Sequence, residues 1–136
     1  MSSTFTRKAL LGFIREKRIA KMTRYLDLGG GNGSLTTEVA KLLHPKEIHL
    51  VDICDEALEI AASKGLQTHK ADLNSGKLPF PDSYFDFLTM TEVLEHLVDT
   101  DGVIREAHRV LTPVGYVLIS TPNLASWRNR LLLLSG

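Results

Sequence analysis

Tyr25-Leu26-Asp27-Leu28-Gly29-Gly30-Gly31-Asn32-Gly33-Ser34 runs from an apolar stretch into a glycine turn and then into a helical pattern that begins at Ser34. Glycine adopts positive φ without a Cβ penalty and lets a ligand lie against bare backbone. Strand, turn and helix in this order describe a nucleotide-type loop. A dinucleotide site spells G-x-G-x-x-G, with its pyrophosphate on the helix N-terminus. From Gly29 that register finds Gly31 but then Ser34, and counting Gly33 instead gives G-x-G-x-G. Asp27, just ahead of the turn, would also repel a pyrophosphate. Both features favour a nucleoside without phosphates over a nicotinamide dinucleotide.

Outward from this loop the chain alternates short apolar runs with helical patterns. The pattern predicts strands at Arg24–Leu28, Glu47–Ile53, Leu66–Ala71, Phe85–Met90 and Gly115–Ser120, and helices at Ser34–Leu43, Asp55–Lys64 and Asp101–Leu111. Asp55 suits a helix N-cap and Gly65 a C-terminal stop, while Pro113 with Gly115 closes the last helix. Several strands are nearly continuous apolar runs, as strands covered on both faces are. Strands alternating with helices of this length build βαβ units around a parallel sheet. The expectation is an α/β, doubly wound sheet in a single domain spanning 1–136.

Such a sheet gathers its strand ends on one rim, and the rim is where open α/β sheets take ligands. Asp27, Asp52, Asp72 and Glu92 close the first four strands. Four carboxylates suit a ligand rich in hydroxyl and amino donors, or one carrying positive charge.

Composition agrees with a folded soluble domain. Hydrophobic residues make up 43% and charged residues 24% of the 136, and sixteen Lys+Arg balance sixteen Asp+Glu. That balance leaves no bulk charge for nucleic acid or membrane. No apolar run approaches the ~20 residues of a membrane span. The run from Ala9 to Ile14 is too short, and too soon followed by Arg15, Lys17 and Arg18, for a signal-peptide core. Cys54 is the one cysteine, so no disulfide framework exists. A cytoplasmic protein is expected. Seven basic residues precede Asp27 with only Glu16 against them, six of them on an amphipathic helix within residues 1–22. Phe5, Ala9 and Phe13, with Leu10 and Ile14, supply its apolar face. It reads either as a solvated cap lying across the fold or as a lid or anionic-ligand surface.

The ordered segments resemble the class I S-adenosylmethionine-dependent methyltransferases. Asp27-Leu28-Gly29-x-Gly31-x-Gly33 is similar to that family's first motif, and Leu50-Val51-Asp52-Ile53 to its ribose-binding strand end. Ala71-Asp72-Leu73, followed by Leu78-Pro79-Phe80-Pro81-Asp82-Ser83-Tyr84-Phe85-Asp86, resembles its adenine segment and the approach to the fourth strand. Val93-Leu94-Glu95-His96-Leu97 and Arg105-Glu106-x-x-Arg109-Val110-Leu111-x-Pro113-x-Gly115 resemble the small-molecule branch that includes quinone-biosynthesis enzymes.

The resemblance implies a Rossmann-like sheet in the order 3-2-1-4-5 and S-adenosyl-L-methionine as cofactor. Gly29, Gly31 and Gly33 would pass beneath the cofactor, and Asp27 would meet its ammonium or order the turn. Asp52 would accept the ribose hydroxyls, or cap the following helix. Asp72 would accept from the adenine amino group, or serve the turn before Asn74. Ile53 and Leu73 would flank the ring. The methyl acceptor would be a small molecule.

A base is needed only where the acceptor loses a proton. Glu92 and His96 are the candidates on the cofactor edge, and no metal is expected; the two as metal ligands are the minor alternative. His44, His49, His69 and His108 share no spacing and read as structural. Past the fifth strand the resembled fold adds another helix, a sixth strand and an antiparallel seventh. Here residues 124–134 give one helix, so a sheet lacking the last two strands is expected. Its Trp127 and Leu131–Leu134 suit a homodimer or partner contact. The competing reading is a non-catalytic binding or interaction module.

Overall fold

A computed structural model describes residues 4–17, 19 and 22–121. The helix expected over 124–134, with Trp127 and the leucine run, lies outside the described residues, as do Arg18 and Lys21. Five parallel strands form one sheet in the order β3-β2-β1-β4-β5. They are β1 (Arg24–Leu28), β2 (Glu47–Asp52), β3 (Gln67–Lys70), β4 (Phe85–Thr91) and β5 (Leu111–Ser120). The helices are α1 (Thr4–Glu16), α2 (Ser34–Leu43), α3 (Asp55–Ser63) and α4 (Thr100–Val110), with a 3₁₀ turn at Leu94–His96. The expected fold class and strand order are the observed ones.

Both faces of the sheet are covered, which explains the continuous apolar runs. Tyr25 and Phe87 face α1 and α2, with Leu10, Ile14, Val39 and Leu43. Leu50 packs on α3 through Leu58 and Ala61. Leu26, Leu28, Val51, Leu88 and Met90 pack on the other face against Val103, Ala107 and Val110 of α4. Burial of each of the larger of these side chains stabilises by roughly 1.5–3 kcal/mol.

Three local expectations are corrected. The buried stripe of α1 is Leu10 and Ile14, while Phe5, at 83% exposure, Ala9 and Phe13 face outward. Leu10 and Ile14, one turn apart, meet α2, and Phe13 instead lies under the Lys17 ammonium. Asp55 is the first residue of α3 and not its N-cap, which is Cys54 with no side-chain cap bond. Its carboxylate turns sideways to Lys70 Nζ at 2.5 Å.

The last correction concerns Pro113 and Gly115, which do not end a helix. α4 stops at Val110, and β5 starts at Leu111. Pairing steps from Phe85–Leu111 to Phe87–Tyr116, so the proline and glycine sit in an irregularity where β5 carries extra residues. At the other end of α4, Asp99 is the cap, accepting from Gly102 N at 2.8 Å.

Arg109 of α4 pins the segment that leads into β4. Its guanidinium donates to Glu106, to Asp82 Oδ1 at 2.7 Å and to the Phe80 and Leu78 carbonyls, while Glu106 accepts from Leu78 N. The neighbouring guanidinium holds the Glu106 carboxyl below its ordinary range.

On β2 and β3, His49 and His69 stack with Nδ1 and Nε2 2.9 Å apart. One ring must therefore donate and the other accept. Burial, then the charge of His49, pushes His69 below the usual histidine pKa. A lowered base binds fewer protons folded than unfolded, so this contribution is present at neutral pH and lost as pH falls below about 6.5. His69→Gln is expected to reduce the drop in denaturant midpoint between pH 7.5 and 5. The reduction should be worth under about 1 kcal/mol, because the ring is part-solvated. An unchanged pH dependence would show that the pair does not carry it.

Candidate functional site

Strand order reverses at β1, whose neighbours are β2 and β4. The carboxyl ends of these strands enclose two adjoining cavities, as expected at such a switch point. The smaller, of about 300 Å³, is lined by Asp52, Ile53, Ala71, Asp72, Leu73 and Asn74, together with Val93 and Leu97. The larger, of about 800 Å³, lies over Gly29, Gly30, Gly31, Asn32 and Ser34 and is bounded by Thr4 and Arg7 of α1 and by Thr91 and Glu95. Gly29, Glu92 and His96 line both.

The glycine loop is fixed by its surroundings. Gly29 N donates to Val51 O at 2.8 Å, and Gly33 N to Gly30 O at 3.0 Å. At Gly33, where φ is +73°, a Cβ would come within 2.4 Å of the Leu66 side chain and 3.3 Å of Ala61 of α3, so the close packing of the loop there favours glycine. Gly31 differs: φ is +56° and an added Cβ meets no protein atom within 4 Å. Its open side borders the larger cavity.

Asp52 ends β2 with three backbone partners. Gly31 N reaches Oδ2 at 2.8 Å, while Ile53 N and Cys54 N reach Oδ1 at 2.8 and 3.0 Å. One carboxylate thus ties the glycine loop to the entry of α3 while bordering the smaller cavity. With Asp55 displaced from the cap, the helix-entry role of Asp52 is real as well. Ile53 is 59% exposed, a large apolar side chain standing over the cavity. Leu73, which lines the same cavity, is half-buried against the core. Asp72 Oδ1 accepts from Asn74 N at 2.9 Å, so its carboxylate shapes the turn from which it borders the cavity.

Asp27 is buried beneath the loop. Thr36 Oγ1 donates to Oδ2 at 2.6 Å and Thr89 Oγ1 to Oδ1 at 2.7 Å, with the Tyr25 hydroxyl 2.8 Å behind Thr89. Burial raises the Asp27 carboxyl from 3.8 to about 6, against the lowering effect of the two hydroxyls. Burial, then the Asp27 charge, raises the Tyr25 hydroxyl well above its usual value.

Glu92 follows β4 at φ +54°, a left-handed conformation rare for a residue with a side chain. Its N–H donates to Ser120 O at 2.9 Å, and its Oε1 accepts from Thr6 Oγ1 at 2.7 Å. His96 ends the 3₁₀ turn and is exposed at the junction of the cavities. The structure therefore brings every sequence-derived site residue except Gly33 to a cavity wall. Among the described residues no group of three or more His, Cys, Asp or Glu is placed to hold a metal ion.

Sequence reasoning missed Thr36 and Thr89, which hold Asp27, and Thr6 and Arg7, which bring α1 to the site. Arg7 reaches it because its guanidinium pairs with Glu38 of α2 through Nε and Nη2. α1 thus borders the larger cavity through Thr4 and Arg7.

Residues 26–119 match the methyltransferase-domain family. Over 103 residues the chain is 37% identical to the ubiquinone/menaquinone biosynthesis C-methyltransferase UbiE of Vibrio vulnificus, an alignment covering 71% of this chain and 40% of that protein. The chain therefore spans well under half the length of that relative. Among solved structures, the YcgJ protein of Bacillus subtilis superposes with a TM-score of 0.69 at 30% identity, over 80% of this chain and 48% of that one. The PH0226 protein of Pyrococcus horikoshii gives 0.76 at 24% identity, over 96% and 62%. With most of its length matched and the 3-2-1-4-5 sheet beneath the glycine loop, the chain belongs to the methyltransferase-domain family, in its class I, Rossmann-like form.

Proposed function

We propose that the chain binds S-adenosyl-L-methionine across the two cavities and serves transfer of its methyl group to a small-molecule acceptor by in-line displacement. The observation that carries this reading is the smaller cavity: Asp52 and Asp72 supply acceptors, while Ile53 and Leu73 add apolar lining. That set matches an adenosine, with two ribose hydroxyls, one exocyclic amine and a flat ring. The cavity then opens past Gly29 into a compartment with bare backbone beneath it, which suits an amino-acid tail and an acceptor.

When bound, the cofactor supplies a methyl on a positively charged sulfur, already activated for displacement. The residues of the chain therefore bind, align and exclude water. Asp52 holds the ribose and Asp72 the adenine amine. Asp27 supports the loop from below and supplies negative charge beneath the ammonium. Glu92 and His96 stand at the junction and take up a proton from an acceptor that must lose one. The acceptor enters the larger cavity beside α1. No helix among the described residues is long and apolar enough to cross a membrane. A cytoplasmic setting and a single cofactor-binding domain belong to the same proposal.

Asp52→Ala is expected to weaken S-adenosylhomocysteine binding by about 1.5–3 kcal/mol, the range for charge-assisted hydrogen bonds. Calorimetry would report this, and an unchanged dissociation constant would overturn the ribose assignment. For the wild-type chain, no heat with either S-adenosylmethionine or S-adenosylhomocysteine at high protein concentration would overturn the function itself.

One observation favours the second reading, a non-catalytic binding or interaction module. β5 exposes Val114 at 84%, Tyr116 at 57% and Val117 at 44%. Tight cofactor binding without labelled-methyl transfer across acceptor panels, together with a stable complex, would support it.

A further inference from the structure

We propose that Thr6 of α1 is a positioning residue: it fixes the Glu92 carboxylate at the junction of the two cavities, where Glu92 recognises the positive charge of the bound sulfonium. The inference rests on the cofactor reading above. It deepens that reading by assigning a charge-sensing role to Glu92 and a part in the site to the N-terminal helix.

Three observations lead to it. The first is place. If adenosine fills the smaller cavity and the amino-acid tail lies in the larger, covalent connectivity puts the sulfur between them. Gly29, Glu92 and His96 are the residues bordering both cavities, and Glu92 is the one acid among them.

The second is backbone conformation. Glu92 sits at φ +54° straight after β4, where a left-handed residue with a Cβ costs about 1–2 kcal/mol. Its N–H is held to Ser120 O of β5 at 2.9 Å, so the sheet fixes the direction in which the side chain leaves. Such strain persists only where the surrounding structure enforces it, and it gathers at functional sites.

The third is the contact itself. Thr6 Oγ1 donates to Glu92 Oε1 at 2.7 Å across 86 positions of sequence. α1 is anchored from the residue after Thr6 onward. Arg7 is paired with Glu38 of α2, and Leu10 and Ile14 are buried one and two turns further on. The hydroxyl is therefore presented by a held helix, not by a free terminus. A carboxylate oriented in this way favours a cation beside it and gains nothing from a neutral thioether. Glu92 then discriminates between S-adenosylmethionine and S-adenosylhomocysteine, holding the charged reactant more firmly than the spent product.

The test is the ratio of the two dissociation constants, measured by calorimetry on the full chain. Removing the hydroxyl with the near-isosteric Thr6→Val is expected to lower the preference for S-adenosylmethionine over S-adenosylhomocysteine by about fivefold, the scale of a part-exposed ion pair. Thr6→Ser, which keeps the hydroxyl, should restore the ratio. Glu92→Gln should lower it at least as far, and adding Thr6→Val to Glu92→Gln should change it no further. Equal weakening of both ligands by Thr6→Val, or a ratio that does not move, would overturn the proposal and leave α1 as packing. A wild-type chain that binds neither ligand would overturn the cofactor reading and this inference with it. Unfolding midpoints of each variant separate loss of fold from loss of discrimination.

Discussion

Gly31→Val is expected to abolish S-adenosylhomocysteine binding, weakening it at least a hundredfold, while leaving the chain folded. The two halves of that expectation come from different features of one residue. An added Cβ at Gly31 meets no protein atom within 4 Å, so the core is undisturbed. The same open space is the floor of the larger cavity, and a branched side chain there stands where the ligand must pass. Backbone strain is the competing cause, since φ is +56° and left-handed geometry costs a branched residue about 1–3 kcal/mol.

Gly65 supplies the control. It lies at φ +83° after α3, also with nothing within 4 Å of an added Cβ, and borders neither cavity. Gly65→Val should therefore lose a comparable amount of stability in denaturant unfolding and bind normally by calorimetry. Normal affinity in a folded Gly31→Val would place the ligand elsewhere. Equal binding losses in both variants would assign the effect to strain.

The contrast between Gly31 and Gly33 marks how far the sequence could be read. Both glycines stand out in the sequence, but only the fold shows that an added Cβ at Gly33 would meet Leu66, while one at Gly31 would meet no protein atom. The sheet was legible because strands covered on both faces carry unbroken apolar runs, and β1 and α2 keep the expected bounds. The rim was legible for a related reason: a parallel sheet forces the residues after its strands onto one edge, so Asp52, Asp72 and Glu92 converge wherever the strand limits fall.

What failed was local. Phe5 and Phe13 are as apolar as Leu10 and Ile14, yet helix packing selects the pair that faces α2. Pro113 and Gly115 carry the chemistry of a helix stop, yet an irregular strand absorbs them. Threonines were invisible as site residues, because Thr36, Thr89 and Thr6 hold carboxylates 9, 62 and 86 positions away. No periodicity encodes such pairings.

Asp27 gives the largest expected dependence on pH. Burial raises its carboxyl from 3.8 to about 6, so between these values the folded chain binds a proton that the unfolded chain has released. The stabilising contribution is complete below about pH 4 and is lost as pH rises to about 6. Two pKa units correspond to about 3 kcal/mol. Denaturant unfolding should show that decline in the wild type, and Asp27→Asn should flatten it and be no less stable at pH 7.5. A wild-type curve that stays level from pH 4 to 6, after subtraction of the other carboxylates with an Asp27→Asn reference, would refute the assignment.

An ionised carboxylate beneath the glycine loop is thus a cost to the fold at neutral pH, and the cofactor reading gives it a use. A ligand ammonium in the larger cavity favours the charged form and draws the Asp27 pKa down. S-adenosylhomocysteine carries that ammonium, so its binding near pH 6 should release part of a proton. Calorimetry in two buffers of different ionisation enthalpy would measure the release, and Asp27→Asn should remove it. Release that persists in the variant would move the ammonium to another carboxylate of the rim.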